Sequence, residues 1–229
     1  PAGAAADVYV DSATGQPVPN AQPGPNGQMV NPANNQPVIT AAQDRAPLRV
    51  AAASDLRVAL VEVASAFKVS PGGRDVEPVY GSSGTFFAQI REGAPFDVFL
   101  SADLDYSRRL AGEGLSEAPF LYAVGRLALV VPKDTGLDPK GFGDLLRGPA
   151  IRRLAIANPA HAPYGRAAEA ALRSWKVYDA IATKIVLGDS VSQALQFLDS
   201  GSAQAALVAL PLVQSRSREL AIGVVPETA

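Results

Sequence analysis

The feature that most constrains this chain is an alternation that starts at Leu48 and runs almost to the end. Short apolar runs rich in Val, Leu, Ile and Ala are followed by longer stretches with apolar residues three and four apart. The spacing predicts strands over 48–53, 76–80, 96–101, 126–132, 153–157, 185–187, 205–209 and 222–225. Helices are predicted over 55–67, 85–92, 105–113, 165–175 and 190–200, with a shorter helical turn at 142–146. In the first of these helices Leu56, Leu60, Val63, Ala64 and Phe67 share one face. Strands that alternate with helices indicate βαβ units, hence an α/β class with mainly parallel sheets. With 229 residues, 48% of them hydrophobic, the chain can bury one large or two small cores.

Residues 1–47 read differently. The stretch 15–37 (GQPVPNAQPGPNGQMVNPANNQP) is dense in Pro, Asn, Gln and Gly and carries no charge and no aromatic ring. Such a segment buries too little to offset its ordering entropy, so 1–47 is expected to be a disordered or extended tail or linker.

Composition removes several function classes. The net charge is −2, so no basic surplus points to nucleic acid, and no charge run points to a membrane surface. There is no cysteine, which excludes disulfides, thiolate metal sites and a cysteine nucleophile. His161 is the single histidine, too few for a His-rich metal site. No apolar run reaches the roughly 18 residues needed to span a bilayer. The chain begins at Pro1, which leaves open an export signal removed or never included.

The chemistry gathers at predicted strand ends. Ser54 follows the first strand and precedes a helix. Ser83, within Gly81-Ser82-Ser83-Gly84-Thr85, holds the same address one unit later. In parallel α/β sheets, ligands collect at the carboxyl ends of strands. Helix N-termini there present unpaired N–H groups and partial positive charge, which suits an anion. Both serines also suit ordinary helix capping. A third helix start lies at Asn158-Pro159-Ala160-His161-Ala162-Pro163-Tyr164-Gly165, where two prolines stiffen the turn and the Tyr164 phenol can donate to an oxyanion or simply pack. A fourth lies at Gly188-Asp189-Ser190-Val191. A serine hydrolase using Ser83 and His161 is the competing reading. It meets a broken nucleophile elbow, because Thr85 stands where that motif needs glycine. Asp97, Asp103 and Asp105 read as caps and solvated turn residues rather than as a metal site. No phosphate-binding loop or dinucleotide fingerprint is present.

Taken in order, AAASDL (51–56), GSSGTFFAQI (81–90), EGAPFDVFLSAD (92–103), RLALVVPK (126–133) and LAIANPAHAPYG (154–165) resemble the periplasmic molybdate-binding proteins of ABC importers. The likeness covers 48 to about 225. It implies a two-lobed type II periplasmic-binding-protein fold of the Venus-flytrap kind, with lobe 1 at 48–122 and lobe 2 at 123–229. It implies a monomeric, non-enzymatic carrier that closes on molybdate or tungstate and delivers it to a membrane permease, with no cofactor and no nucleic acid. Ser54, Ser83, Tyr164 and the backbone N–H of Val191 then become the ligand contacts. They would hold the oxo groups, with no side chain bound directly to the metal. Some members carry a ligand tyrosine where this chain has Ala209, and Tyr164 is expected to supply that hydroxyl from the other side. Members also continue past the point matching Val225, so the chain is expected to be C-terminally truncated, with lobe 1 incomplete. Sulfate, phosphate or another oxyanion is the alternative ligand. A ligand-sensing domain of a transcription regulator would need a helix-turn-helix that 1–47 does not supply.

Overall fold

The computed structural model describes residues 9–11, 17–25, 28–36, 38–40, 46–70 and 73–226. It divides into two compact units, Pro1–Arg49 with Leu60–Pro78, and Val50–Ala59 with Val79–Ala229.

In the first unit, β1 (Tyr9–Asp11) pairs antiparallel with β4 (Val38–Thr40), and β2 (Gln22–Pro23) with β3 (Met29–Val30). The described part of 1–47, expected to be a disordered or extended tail or linker, thus holds short two-stranded ladders. Asparagine supplies the turn. Asn31 Oδ1 accepts from the Ala33 N–H and Asn34 Oδ1 from the Gln36 N–H, both at 3.0 Å, while Asn35 adopts φ 53°. Asn tolerates that conformation and bonds its own backbone two residues on, so an Asn-rich run can turn as well as resist burial.

The alternation runs mostly through the second unit. Strand β5 (Leu48–Ala53) leads into a 3-10 turn, Ser54–Arg57, and then α1 (Ala59–Lys68). The helix expected over 55–67 is therefore interrupted at its start. After it come β6 (Val76–Gly81), α2 (Ser83–Arg91), β7 (Val98–Leu100) and α3 (Leu104–Gly112). These strands form a three-stranded sheet of order β6-β5-β7, with β5 and β7 parallel.

The chain continues through β8 (Leu127–Pro132), α4 (Phe142–Arg147), β9 (Leu154–Ala157), α5 (Pro163–Ser174), α6 (Tyr178–Ile181), β10 (Ile185–Gly188), α7 (Val191–Asp199), β11 (Ala205–Ala209) and β12 (Leu220–Val224). The five-stranded sheet has order β10-β9-β11-β8-β12. Strands β9, β10 and β11 run parallel, but β8 is antiparallel to both of its neighbours. The sheets expected to be mainly parallel thus include one mixed sheet, parallel over β9, β10 and β11 and antiparallel at β8 and β12. Alternation says that a helix lies between strands; it does not set the direction in which the next strand returns.

The central strands β9 and β11 are buried at every residue, and β8 from Leu127 to Val131. Helices cover them, which is why they read as continuous apolar runs. Helix α5 starts on Pro163, whose missing N–H costs a first-turn residue nothing. Its Ala-rich body buries Tyr164, Gly165, Ala168, Ala171 and Leu172, one stripe at helical spacing. Helix α7 buries Val191, Ala194, Leu195 and Leu198 in the same way.

Candidate functional site

The four sequence-selected residues each stand in the first two positions of an element. Ser54 is the first residue of the 3-10 turn, Ser83 the first of α2, Val191 the first of α7 and Tyr164 the second of α5. All four line one small cavity in the second unit. Three α-helix N-termini therefore converge there, each with first-turn N–H groups that its own helix cannot satisfy. Among the described residues lining this cavity there is no Lys, Arg or His. An anion there would meet helix-end amides and hydroxyls rather than basic side chains.

The two serines of the Gly81–Thr85 turn divide the labour. Ser82, not Ser83, caps α2: its Oγ accepts from the Thr85 N–H at 3.3 Å. Ser83 is fully buried and its Oγ accepts from the Ala102 N–H at 3.0 Å, which leaves the hydroxyl proton to donate elsewhere. Ser54 is 3% exposed. Its Oγ accepts a long bond of 3.4 Å from the Ser192 N–H, and its carbonyl accepts from the Ser192 hydroxyl at 3.0 Å. Ser192 belongs to the first turn of α7, so these bonds tie that helix end to the turn after β5. Sequence reasoning passed over Ser192; its signal was its place one residue beyond Val191.

The turn before α5 is built on Asn158. Its side chain accepts from the Ala160 N–H at 3.0 Å, and its carbonyl accepts from the Ala162 N–H at 2.9 Å. The turn presents the His161 carbonyl to the Gly84 N–H at 2.9 Å and the His161 ring Nδ1 to Ser82 Oγ at 2.9 Å. The Ser83/His161 pairing that a hydrolase would need is thus replaced by a Ser82/His161 contact, and that serine is occupied as a cap. A side chain on Gly84 would place its Cβ 2.5 Å from the His161 carbonyl oxygen, so the close approach requires glycine. Nearby, Asp103 caps α3 and forms an ion pair with Arg166 of α5, whose Nη1 donates to the Tyr106 hydroxyl at 3.0 Å. The cap reading of Asp103 stands, and the ion pair adds a second tie between α3 and α5.

Asp55 is a second residue that sequence reasoning missed. It follows Ser54, is 8% exposed, and lines both this cavity and a larger one beside it. Its Oδ2 accepts from the Tyr164 hydroxyl at 3.4 Å; its Oδ1 is buried without a hydrogen-bond partner. Burial raises its pKa above the ordinary carboxylate value, against the opposing effects of its own backbone N–H and of Tyr164. Burial and then the Asp55 charge push the half-buried Tyr122 phenol up to about 12 and raise the Tyr164 phenol further. The phenol of Tyr164 passes so close to Gly125 that a Cβ there would lie 2.2 Å from its oxygen.

The small cavity encloses about 10 Å³, the scale of one water molecule. A four-oxygen tetrahedral anion therefore fits only if the walls part. The larger cavity, about 510 Å³, is walled mainly by apolar residues of β7 and the 113–125 connection. Trp175 lies at the far end of α5, stacked on Phe142 at 4.7 Å, and lines neither cavity. Among the described residues, no group of three or more His, Cys, Asp or Glu side chains is placed to hold a metal ion, and no helix is long and apolar enough to cross a membrane.

Comparison with known proteins adds independent information. Residues 48–228 match the family model described as bacterial extracellular solute-binding protein. The chain is 36% identical over 178 residues to the molybdate-binding protein ModA of Azotobacter vinelandii, covering 77% of this chain and 69% of that protein. It is 39% identical over 139 residues to ModA of Rhodobacter capsulatus, covering 60% and 54%. Among solved structures, the Azotobacter vinelandii periplasmic molybdate-binding protein superposes with a TM-score of 0.64 at 34% identity, covering 71% of each chain.

Proposed function

The chain belongs to the bacterial extracellular solute-binding protein family as a ModA-like member with the type II periplasmic-binding-protein fold, and from that premise we propose that it captures molybdate or tungstate for an ABC importer. The carrying observation is the convergence of Ser54, Ser83, Tyr164 and Val191 on one cavity that has no basic side chain among its described lining residues. Desolvating a dianion is very costly unless its oxygens are hydrogen-bonded. Hydroxyls and first-turn amides from several helix ends supply those bonds and touch the oxo groups, never the metal. A cage without counter-charge discriminates by size and hydrogen-bond fit, which favours the larger molybdate and tungstate over sulfate.

Residues 48–122 form one lobe of this reading and 123–229 the other, with the anion held between the ends of their strands. Capture parts the walls around a cavity now the size of a water. The protein acts in the periplasm as a monomer, hands its load to a membrane permease and performs no chemistry on it. Molybdate, the anion for which the relatives are named, is the first ligand to test. Calorimetric titration with molybdate, tungstate, sulfate and phosphate is expected to give binding of the first two and much weaker or no binding of the others. Preference for sulfate or phosphate would overturn the ligand choice.

A further inference from the structure

Asp55 has no place in a cage of hydroxyls and amides, yet it lines the same cavity as Ser54, Ser83, Tyr164 and Val191. A carboxylate beside a dianion is strongly unfavourable in a buried site unless a cation or a proton intervenes. Among the described residues no cation lines its surroundings. Neither cavity that Asp55 lines has a Lys, Arg or His among its described lining residues. On its own turn, the Arg57 guanidinium lies over the Tyr80 ring, 4.6 Å from its centre. The first turn of α7 brings Val191, Ser192 and Gln193, and the 3-10 turn Leu210–Leu212 brings no charge. From α5 and the 113–125 connection come two phenols, Tyr164 and Tyr122. The remaining charged residues around the larger cavity are Asp103, paired with Arg166, and Glu117, both acidic.

We infer that Asp55 is a fifth member of the anion-binding wall, and that capture of the dianion takes up one proton, held between the Asp55 carboxyl and an oxo group of the ligand. The inference rests on reading this cavity as the oxyanion site. The balance is simple: a carboxylate, a dianion and one proton from solvent give a neutral acid hydrogen-bonded to the dianion. One O–H bond forms and nothing is oxidised or transferred. Oδ1, buried and without a partner, is the oxygen free to carry that proton. Burial already raises the pKa of this carboxyl before the anion arrives. An asparagine at this position would donate at every pH; the aspartate makes capture tighter in acid and looser in base.

The test compares the parent protein with Asp55→Asn by calorimetry with molybdate between about pH 6 and 8, where the free ligand stays a dianion, in buffers of different ionisation heat. The parent is expected to take up one proton at the upper end, with affinity falling about tenfold for each pH unit of rise above the Asp55 pKa. Asp55→Asn is expected to bind with no proton uptake and no pH slope. Binding by the parent without proton uptake overturns the inference and leaves the oxyanion reading intact. A pH slope unchanged in Asp55→Asn does the same. Failure of the parent to bind molybdate or tungstate at any pH overturns the oxyanion reading and the inference with it. The proton count needs only the parent protein, so an unstable variant does not block the decision.

Discussion

The Tyr164 hydroxyl donates to Asp55 Oδ2 across 3.4 Å, joining the second residue of α5 to the turn after β5. Both residues are 8% exposed. The bond is long, but it is a side-chain hydrogen bond that favours the Asp55 carboxylate against the larger effect of burial, and both partners line the small cavity.

Tyr164→Phe removes that donor. Oxyanion affinity is expected to fall by roughly tenfold, the scale of one buried hydrogen bond of about 1–1.5 kcal/mol. The Asp55 pKa should rise further, because the bond it loses favoured the charged form. Calorimetry reads both effects. An affinity equal to the parent's would remove Tyr164 from the wall.

Asp55→Asn is expected to change stability with a definite sign. The folded pKa of Asp55 is raised, so the folded state binds the proton more tightly than the unfolded state does. Its stability contribution is fully present below the ordinary carboxylate value and is lost as pH rises through the folded value. Ligand-free Asp55→Asn should therefore be more stable than the parent at neutral pH, and the difference should shrink as pH falls. Urea unfolding at several pH values checks this; a gap that widens in acid would contradict it.

The adjacent serines should separate cleanly. Ser82→Ala removes the cap of α2 and is expected to cost about 0.5–2 kcal/mol of stability with a small change in affinity. Ser83→Ala leaves the Ala102 N–H without its acceptor, costing about 1–3 kcal/mol, and also deletes a proposed ligand donor. Only Ser83→Ala should lower molybdate affinity by tenfold or more. Equal affinity losses in the two variants would show that the turn acts as a unit.

Gly84→Ala forces a Cβ against the His161 carbonyl oxygen and the Tyr106 hydroxyl, at 2.5 and 2.7 Å. The Gly84 N–H to His161 bond of 2.9 Å must lengthen or break. Overpacking of this kind costs about 1–3 kcal/mol. Thermal unfolding should show that loss, and anion binding should weaken because Ser83 moves with the start of α2. A variant with unchanged stability would mean that the Asn158 turn yields freely.

Much of the fold was legible from local pattern. Strands β5 and β11 fall at 48–53 and 205–209 as the apolar runs predict, and α5 and α7 lie within a residue or two of their periodicity. Local pattern works there because propensity and one-sided burial act within a few residues. It also marked the helix starts that hold Ser54, Ser83, Tyr164 and Val191, since each stands where a strand hands over to a helix.

Other features depend on residues far apart in the chain, and only the tertiary structure decided them. The direction of β8 depends on the neighbours it meets, not on its own apolar run. Ser82 and Ser83 look alike in sequence; Ala102 lies 19 residues from Ser83 and His161 lies 79 residues from Ser82, and these two partners separate their roles. Asp55 reads as an ordinary first-turn acid until Tyr164, 109 residues later, closes over it. The sequence by itself determined where strands end and helix dipoles begin, because those are short-range matters of sterics and hydrogen bonding. Which polar groups lost water, and which found partners when they did, was set by packing across the chain. That is why the helix starts of the proposed anion wall could be read early and the buried acid beside them could not.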